Sequence, residues 1–179
     1  MSLVRAAVGI AVAIAAACAL YFFCVLPYRC NVVKKARLRS TEYAFDQGGT
    51  TAGRIAARRN LDALLPCMTS ICNDVSLDML AAANYRILGQ PEAAIQLYRD
   101  ALRRDRRPEI YVNLAMTELA VGDRNAARDH ALRAVLFNTG MLASLDDGLL
   151  RAETAKKLIE LYPAKAEYIR YFQNFGATQ

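Results

Sequence analysis

Residues 77–105 read LDMLAAANYRILGQPEAAIQLYRDALRRD, and residues 109–138 read EIYVNLAMTELAVGDRNAARDHALRAVLFN. Their apolar positions step by three or four. Leu77, Leu80, Ala81 and Leu88, with the polar Asn84 in the same register, form one such series, and Ala94, Tyr98, Ala101 and Leu102 the next. Tyr111, Leu114, Ala115 and Leu119 follow, then Ala127, Ala131, Ala134 and Val135. That spacing puts each series on one face of a helix. No stretch alternates as a strand would. The ends are signalled as well. Ser76 reads as an N-cap, Gly89 and Gly122 as stops, and Asp123 as a second cap. Pro91 suits the first position of a helix, with Glu92 near its positive end. Arg103, Arg104, Arg106 and Arg107 gather where that helix stops, and Pro108 follows. Loops this short predict consecutive helices packed antiparallel.

The two segments superpose. Gly89 matches Gly122, Ala94 matches Ala127, and Ala101 matches Ala134, all at one common interval. Small residues let helices approach closely, and the glycine permits a tight turn. A period of about 34 residues, with a helix, a glycine turn and a second helix carrying spaced alanines, resembles the tetratricopeptide repeat. The likeness is closest in the turn and the second helix. Tyr111 stands where that family has Trp and Ala115 where it has Gly, while Glu118 and Ala131 stand where it has aromatics.

A third copy is expected upstream. Ala56, Asn60, Ala63 and Leu64 repeat the second-helix pattern, with Ala56 matching Ala94 over a slightly longer interval than the later copies show. Its first helix would be 37–47, and Gly48-Gly49 its turn. The extra residues fall in a connection from Pro66 to Asp74. Leu149–Tyr162 and Ala164–Phe175 read as two closing helices around Pro163. The expected fold is therefore all-α: an N-terminal transmembrane helix, then a helical-hairpin stack (an α-solenoid) of two to three repeats with C-terminal capping helices. Residues 1–28 are assigned to the anchor, 29–50 to a basic juxtamembrane helix or linker, and 51–179 to the repeat domain.

The anchor rests on composition. Ala6 to Tyr28 contains no charged residue. At 1.5 Å per residue it reaches about 35 Å, against about 30 Å of hydrocarbon. Tyr21 and Tyr28 suit the interface. Beyond them stand Arg29, Lys34, Lys35, Arg37, Arg39, Arg54, Arg58 and Arg59 against Glu42 and Asp46, so the whole of the chain's net charge of +6 lies in this segment. Such a segment beside an anchor is expected to touch anionic lipid headgroups. No nucleic-acid-binding motif accompanies it. The side of the membrane is pulled two ways. The basic flank places the domain in the cytoplasm. Cys67 and Cys72, close together in a connection, could close a disulfide and place it outside; two unpaired, partly buried thiols are the other reading. The balance leans to the outside.

The residues for chemistry are sparse. The sole histidine, His130, has no nucleophile set beside it by any pattern and reads as a surface or packing residue. Gly48-Gly49 and Gly53 precede no Lys-Ser/Thr pair, and the cysteines show no metal-ligand spacing. Neither catalysis, a cofactor nor a metal is expected. Similarity to the repeat family implies a groove lined by the first helix of each pair. Carried over, its positions are Ser76, Met79, Ala83 and Arg86, then Glu109, Val112, Asn113, Met116 and Leu119. The implied function is a membrane-held protein-interaction scaffold, an accessory subunit of a larger complex. Its partners engage the groove and also the small-residue face of the anchor. An assembly or secretion factor for exported polysaccharide or pilus components is the alternative, by analogy.

Overall fold

A computed structural model describes residues 2–68, 72 and 74–175, with side chains from Ala7 to Asn174. The tip of the Pro66–Asp74 connection and the end of the domain beyond Phe175 lie outside the described residues. Every described segment of regular structure is helical.

Helix α1 (Ser2–Leu20) passes through a π-helical turn (Tyr21–Val25) into α2 (Leu26–Asp46) without a break. Every side chain from Ala7 to Val25 is exposed, Phe23 at 81%. The helix is long and apolar enough to cross a membrane. Among the described residues seven further helices follow: α3 (Thr51–Leu64), α4 (Val75–Ile87), α5 (Pro91–Arg104), α6 (Pro108–Ala120), α7 (Arg124–Phe137), α8 (Gly148–Leu161) and α9 (Ala166–Phe175). From α3 on, each packs on the one before it, and α2 also packs on α4. Of the two alternatives for 29–50, helix or linker, the helix holds up to Asp46. α2 buries Cys30, Thr41 and Ala44 against its neighbours.

The turn chemistry explains the pairing. Gly89 and Gly122 take φ of 71° and 88°, a left-handed conformation that costs other residues about 1–2 kcal/mol. Each closes the same pattern of bonds. The Gln90 amide donates to the Tyr85 carbonyl and the Asp123 amide to the Glu118 carbonyl, both at 2.9 Å. Asp123 caps α7 through the Ala126 amide, as its position predicts. At α4 the cap is Asp74, not Ser76: its carboxylate accepts from the Ser76 amide at 2.9 Å, and the helix starts two residues early, at Val75.

The core is built from the repeated small positions. Ala94, Tyr98 and Ala101 on α5 are essentially fully buried, and so are their counterparts Ala127, Ala131 and Ala134 on α7. On α3 the buried set is Ala57, Leu61 and Leu64, spaced as Ala94, Tyr98 and Ala101 are. Ala57 is therefore the counterpart of Ala94, and the register expected from Ala56 is one residue off. Two adjacent alanines look alike in the sequence, and only the neighbouring helix distinguishes them. Gly53 shows how near α3 approaches α2: a Cβ there would lie 2.6 Å from the Gly48 carbonyl.

After α7 the chain makes a 3-10 turn (Thr139–Ser144) that the periodicity does not reveal. It buries Leu142, and Leu145 just beyond it. Arg151, itself buried, donates from Nε and Nη2 to the Leu145 carbonyl at 2.9 and 2.6 Å and holds this turn on α8. The two closing helices are present as α8 and α9.

Candidate binding groove

The helices that begin each pair, α2, α4 and α6, frame an open groove. One cavity of about 430 Å³ is lined by α2 (Lys34, Lys35, Leu38, Phe45), α4 (Ser76, Met79, Leu80, Ala83, Arg86), Tyr98, Arg107 and Asn113. A second, of about 560 Å³, continues from it at Phe45 and Arg86. It runs past Gly48, Gly49 and Arg54 to Gly89, Thr117 and Ala120.

The walls are apolar because each helix turns its inward stripe away from water and leaves the adjoining positions half-covered. Met79 and Ala83 sit one turn apart on α4 and are partly exposed. Between the cavities, the Arg86 guanidinium lies 5.5 Å from the centroid of Phe45. The Tyr98 phenol lines the same space. Burial pushes that phenol above its ordinary pKa, opposed by the charge and hydrogen bond of Arg86. Tyr98 is therefore neutral at physiological pH.

Of the groove positions carried over from the repeat pattern, Ser76, Met79, Ala83, Arg86 and Asn113 line this space together. Val112 is buried in the C-terminal core, and Met116 and Leu119 pack against it. Glu109 is exposed and lies outside the lining. The first helix of the later pair is turned so that its stripe meets α7 and the 3-10 turn rather than the groove. Lys34, Lys35, Leu38 and Phe45 went unrecognised in the sequence. They belong to the segment whose charge reads as a lipid contact. The signal that could have found them is the third helix pair itself, whose first helix must form a wall.

The wall is fastened at two levels. Cys30 on α2 bonds Cys72 across 42 residues of chain. Neither reading of the pair Cys67 and Cys72 holds: they do not bond each other, Cys72 is bonded to Cys30, and Cys67 is a free, buried thiol in the same apolar cluster as Cys30, Leu64 and Leu77. Chain proximity favours the shorter loop, but the 3-10 turn Leu65–Cys67 turns Cys67 into the core and leaves Cys72 against α2. Beside this bond, Lys34 Nζ meets Asp74 Oδ2 at 2.5 Å. Further along, a buried polar network joins three helices. Asn60 Nδ2 donates to Asn84 Oδ1 at 3.0 Å, and Asn84 Nδ2 donates to Thr41 Oγ1 at 2.9 Å and to the Leu80 carbonyl at 2.7 Å.

His130 is a packing residue with a specific partner. Its Nδ1 lies 2.7 Å from Glu118, whose carboxylate is 1% exposed and also accepts from Arg99 at 3.0 Å. The imidazole stacks on Tyr111, centroids 6.0 Å apart. Glu118 is thus buried through its pairing with Arg99 and His130. Among the described residues no group of three or more His, Cys, Asp or Glu is arranged to hold a metal. No protein-family model, curated protein or solved structure matches the chain.

Proposed function

We propose that this chain is a membrane-anchored scaffold of tetratricopeptide type that holds a partner protein in the groove between α2, α4 and α6, as an accessory subunit of a membrane complex rather than as an enzyme. The observation that carries the reading is the continuity of one helix. The apolar rod that can span a bilayer becomes, without a break, the wall that contributes Lys34, Lys35, Leu38 and Phe45 to the groove. An anchor so built presents the groove at a fixed height above the membrane. The repeated geometry of α4–α5 and α6–α7, with its matched glycine turns, supports the tetratricopeptide reading.

The Cys30–Cys72 bond favours an oxidising compartment, and so a domain outside the cytoplasm. That placement also suits the second reading, an assembly or secretion factor for exported polysaccharide or pilus components.

A photo-crosslinking amino acid at Met79 or Ala83 tests the scaffold in cells. A discrete protein adduct is expected, lost when Ala83→Trp fills the groove in the Met79-labelled chain. Adducts to lipid alone, or an adduct indifferent to Ala83→Trp, would defeat the reading. A cysteine placed at exposed Arg133 reports the side: an impermeant maleimide should label it in intact cells.

A further inference from the structure

We infer that the groove takes an acidic, apolar-anchored segment of a partner protein, about six residues in extended form; this rests on the scaffold reading and adds the partner's chemistry. The lining residues carry five cations, Lys34, Lys35 and Arg107 in the first cavity, Arg54 in the second, and Arg86 shared by both, and no carboxylate. Asp74 and Asp105 pair with Lys34 and Arg107 from outside the lining, at 2.5 and 2.7 Å. Lys35, Arg54 and Arg86 meet no carboxylate within ion-pair distance among the described residues. Between the cations the floor is apolar, formed by Leu38, Phe45, Met79, Leu80 and Ala83. Cations above an apolar floor complement a chain in which acidic side chains alternate with Leu or Phe.

The layout favours a peptide over a lipid. Lys35 stands about 10 Å along the helix from Tyr28, and the far end of α2, near Arg54, about 27 Å. A headgroup held in the plane of the bilayer reaches the first and not the second. An extended segment covers the interval of about 15–20 Å with some six residues. Arg86, lying on the Phe45 ring where the two cavities meet, is placed to trade that contact for a carboxylate.

The test uses the full chain in zwitterionic nanodiscs and three short fluorescein-labelled peptides of equal length. One alternates Glu with Leu and Phe, one has Gln for Glu, and one has Lys for Glu. The Glu peptide should bind about tenfold or more tightly than the Gln peptide and the Lys peptide should not bind. The preference should weaken from about 50 to about 300 mM salt. It should collapse in the Lys35→Glu, Arg54→Glu double variant, whose two positions are exposed and whose circular dichroism should be unchanged. Equal binding of Glu and Gln peptides, both blocked by Ala83→Trp, would overturn the charge inference and leave the scaffold reading standing. Binding of none of the three, in a chain with Cys30–Cys72 intact, would overturn both. Displacement of the Glu peptide by phosphatidylglycerol nanodiscs would assign the groove to lipid. A dimer of the chain that Ala83→Trp dissociates would assign it to a second copy. Either result overturns the inference.

Discussion

The two ends of the helical domain are held together differently. From α2 to α4 the contacts are specific: a disulfide, an ion pair and a buried Thr41–Asn60–Asn84 network. From α6 to α9 a large apolar cluster dominates, with the Glu118–His130 and Arg128–Glu153 pairs and the Arg151 bonds set around it. Ala127, Ala131, Ala134, Leu142, Leu145, Leu150 and Ile169 are at most 1% exposed in one cluster. Hydrophobic packing is strong but non-directional, and it tolerates small slides of one helix on another. A helix that leaves the domain as a long exposed rod gains nothing along its outer length to set its register. Directional bonds supply that register, and they sit where the rod joins the domain.

The largest effect should come from the apolar end. Leu150→Ala removes a fully buried side chain and should cost about 3 kcal/mol or more, read from urea midpoints. Breaking the Cys30–Cys72 bond with Cys30→Ser should cost about 2–4 kcal/mol. The two should separate in hydrogen exchange. The disulfide variant loses protection in α2 and α3 while α7 and α8 keep theirs; uniform loss across the domain would erase the contrast between the two ends. Asn84→Ala should cost about 2 kcal/mol, because it leaves Asn60 and Thr41 buried without their shared partner. A Thr41→Val, Asn60→Leu, Asn84→Leu triple variant should recover much of that stability. It should also broaden the distance distribution between spin labels on α2 and α5.

Gly122→Ala should cost about 1–2 kcal/mol through its positive φ, with no change in core protection. Asp74→Asn should be smallest, below about 1 kcal/mol at pH 7, since both partners of the pair are about a third exposed. Partial burial raises the Asp74 carboxyl, but hydrogen bonds from Lys34 and the Ser76 amide lower it by more. A lowered folded-state pKa gives stabilisation that is complete above the ordinary carboxylate range and fades as pH falls through the folded value. Asn keeps the cap and removes the charge, so the two chains should begin to converge in stability near about pH 4 and meet once pH has fallen through the lowered folded value.

Local spacing carried most of the fold. Gly89, Gly122 and the alanines of α5 and α7 reveal their partners because a repeat compares a sequence with itself. What stayed hidden needed contact across the chain. Nothing near Cys30 marks the distant Cys72 as its partner. Nothing in Ala56-Ala57 says which methyl faces α2. The groove was half legible for the same reason. Met79, Ala83, Arg86 and Asn113 follow from the repeat, whereas Val112 and Met116 were drawn inward by a 3-10 turn whose residues show no period. Lys34 and Lys35 carry a charge that the sequence assigns to lipid headgroups, and only the packing of α2 on α4 puts them on the groove lining as well.

The bond at Cys30 lies just past Tyr28, less than one helical turn from the end of the apolar run. Below it there is no loop in which the domain could swivel. If the apolar rod spans a bilayer, any face it prefers there sets a compass bearing for the groove. A neighbour embedded beside that face would always find the groove pointing the same way. Much of the orientational freedom that two proteins surrender on meeting would already be gone once the anchor had settled in the membrane.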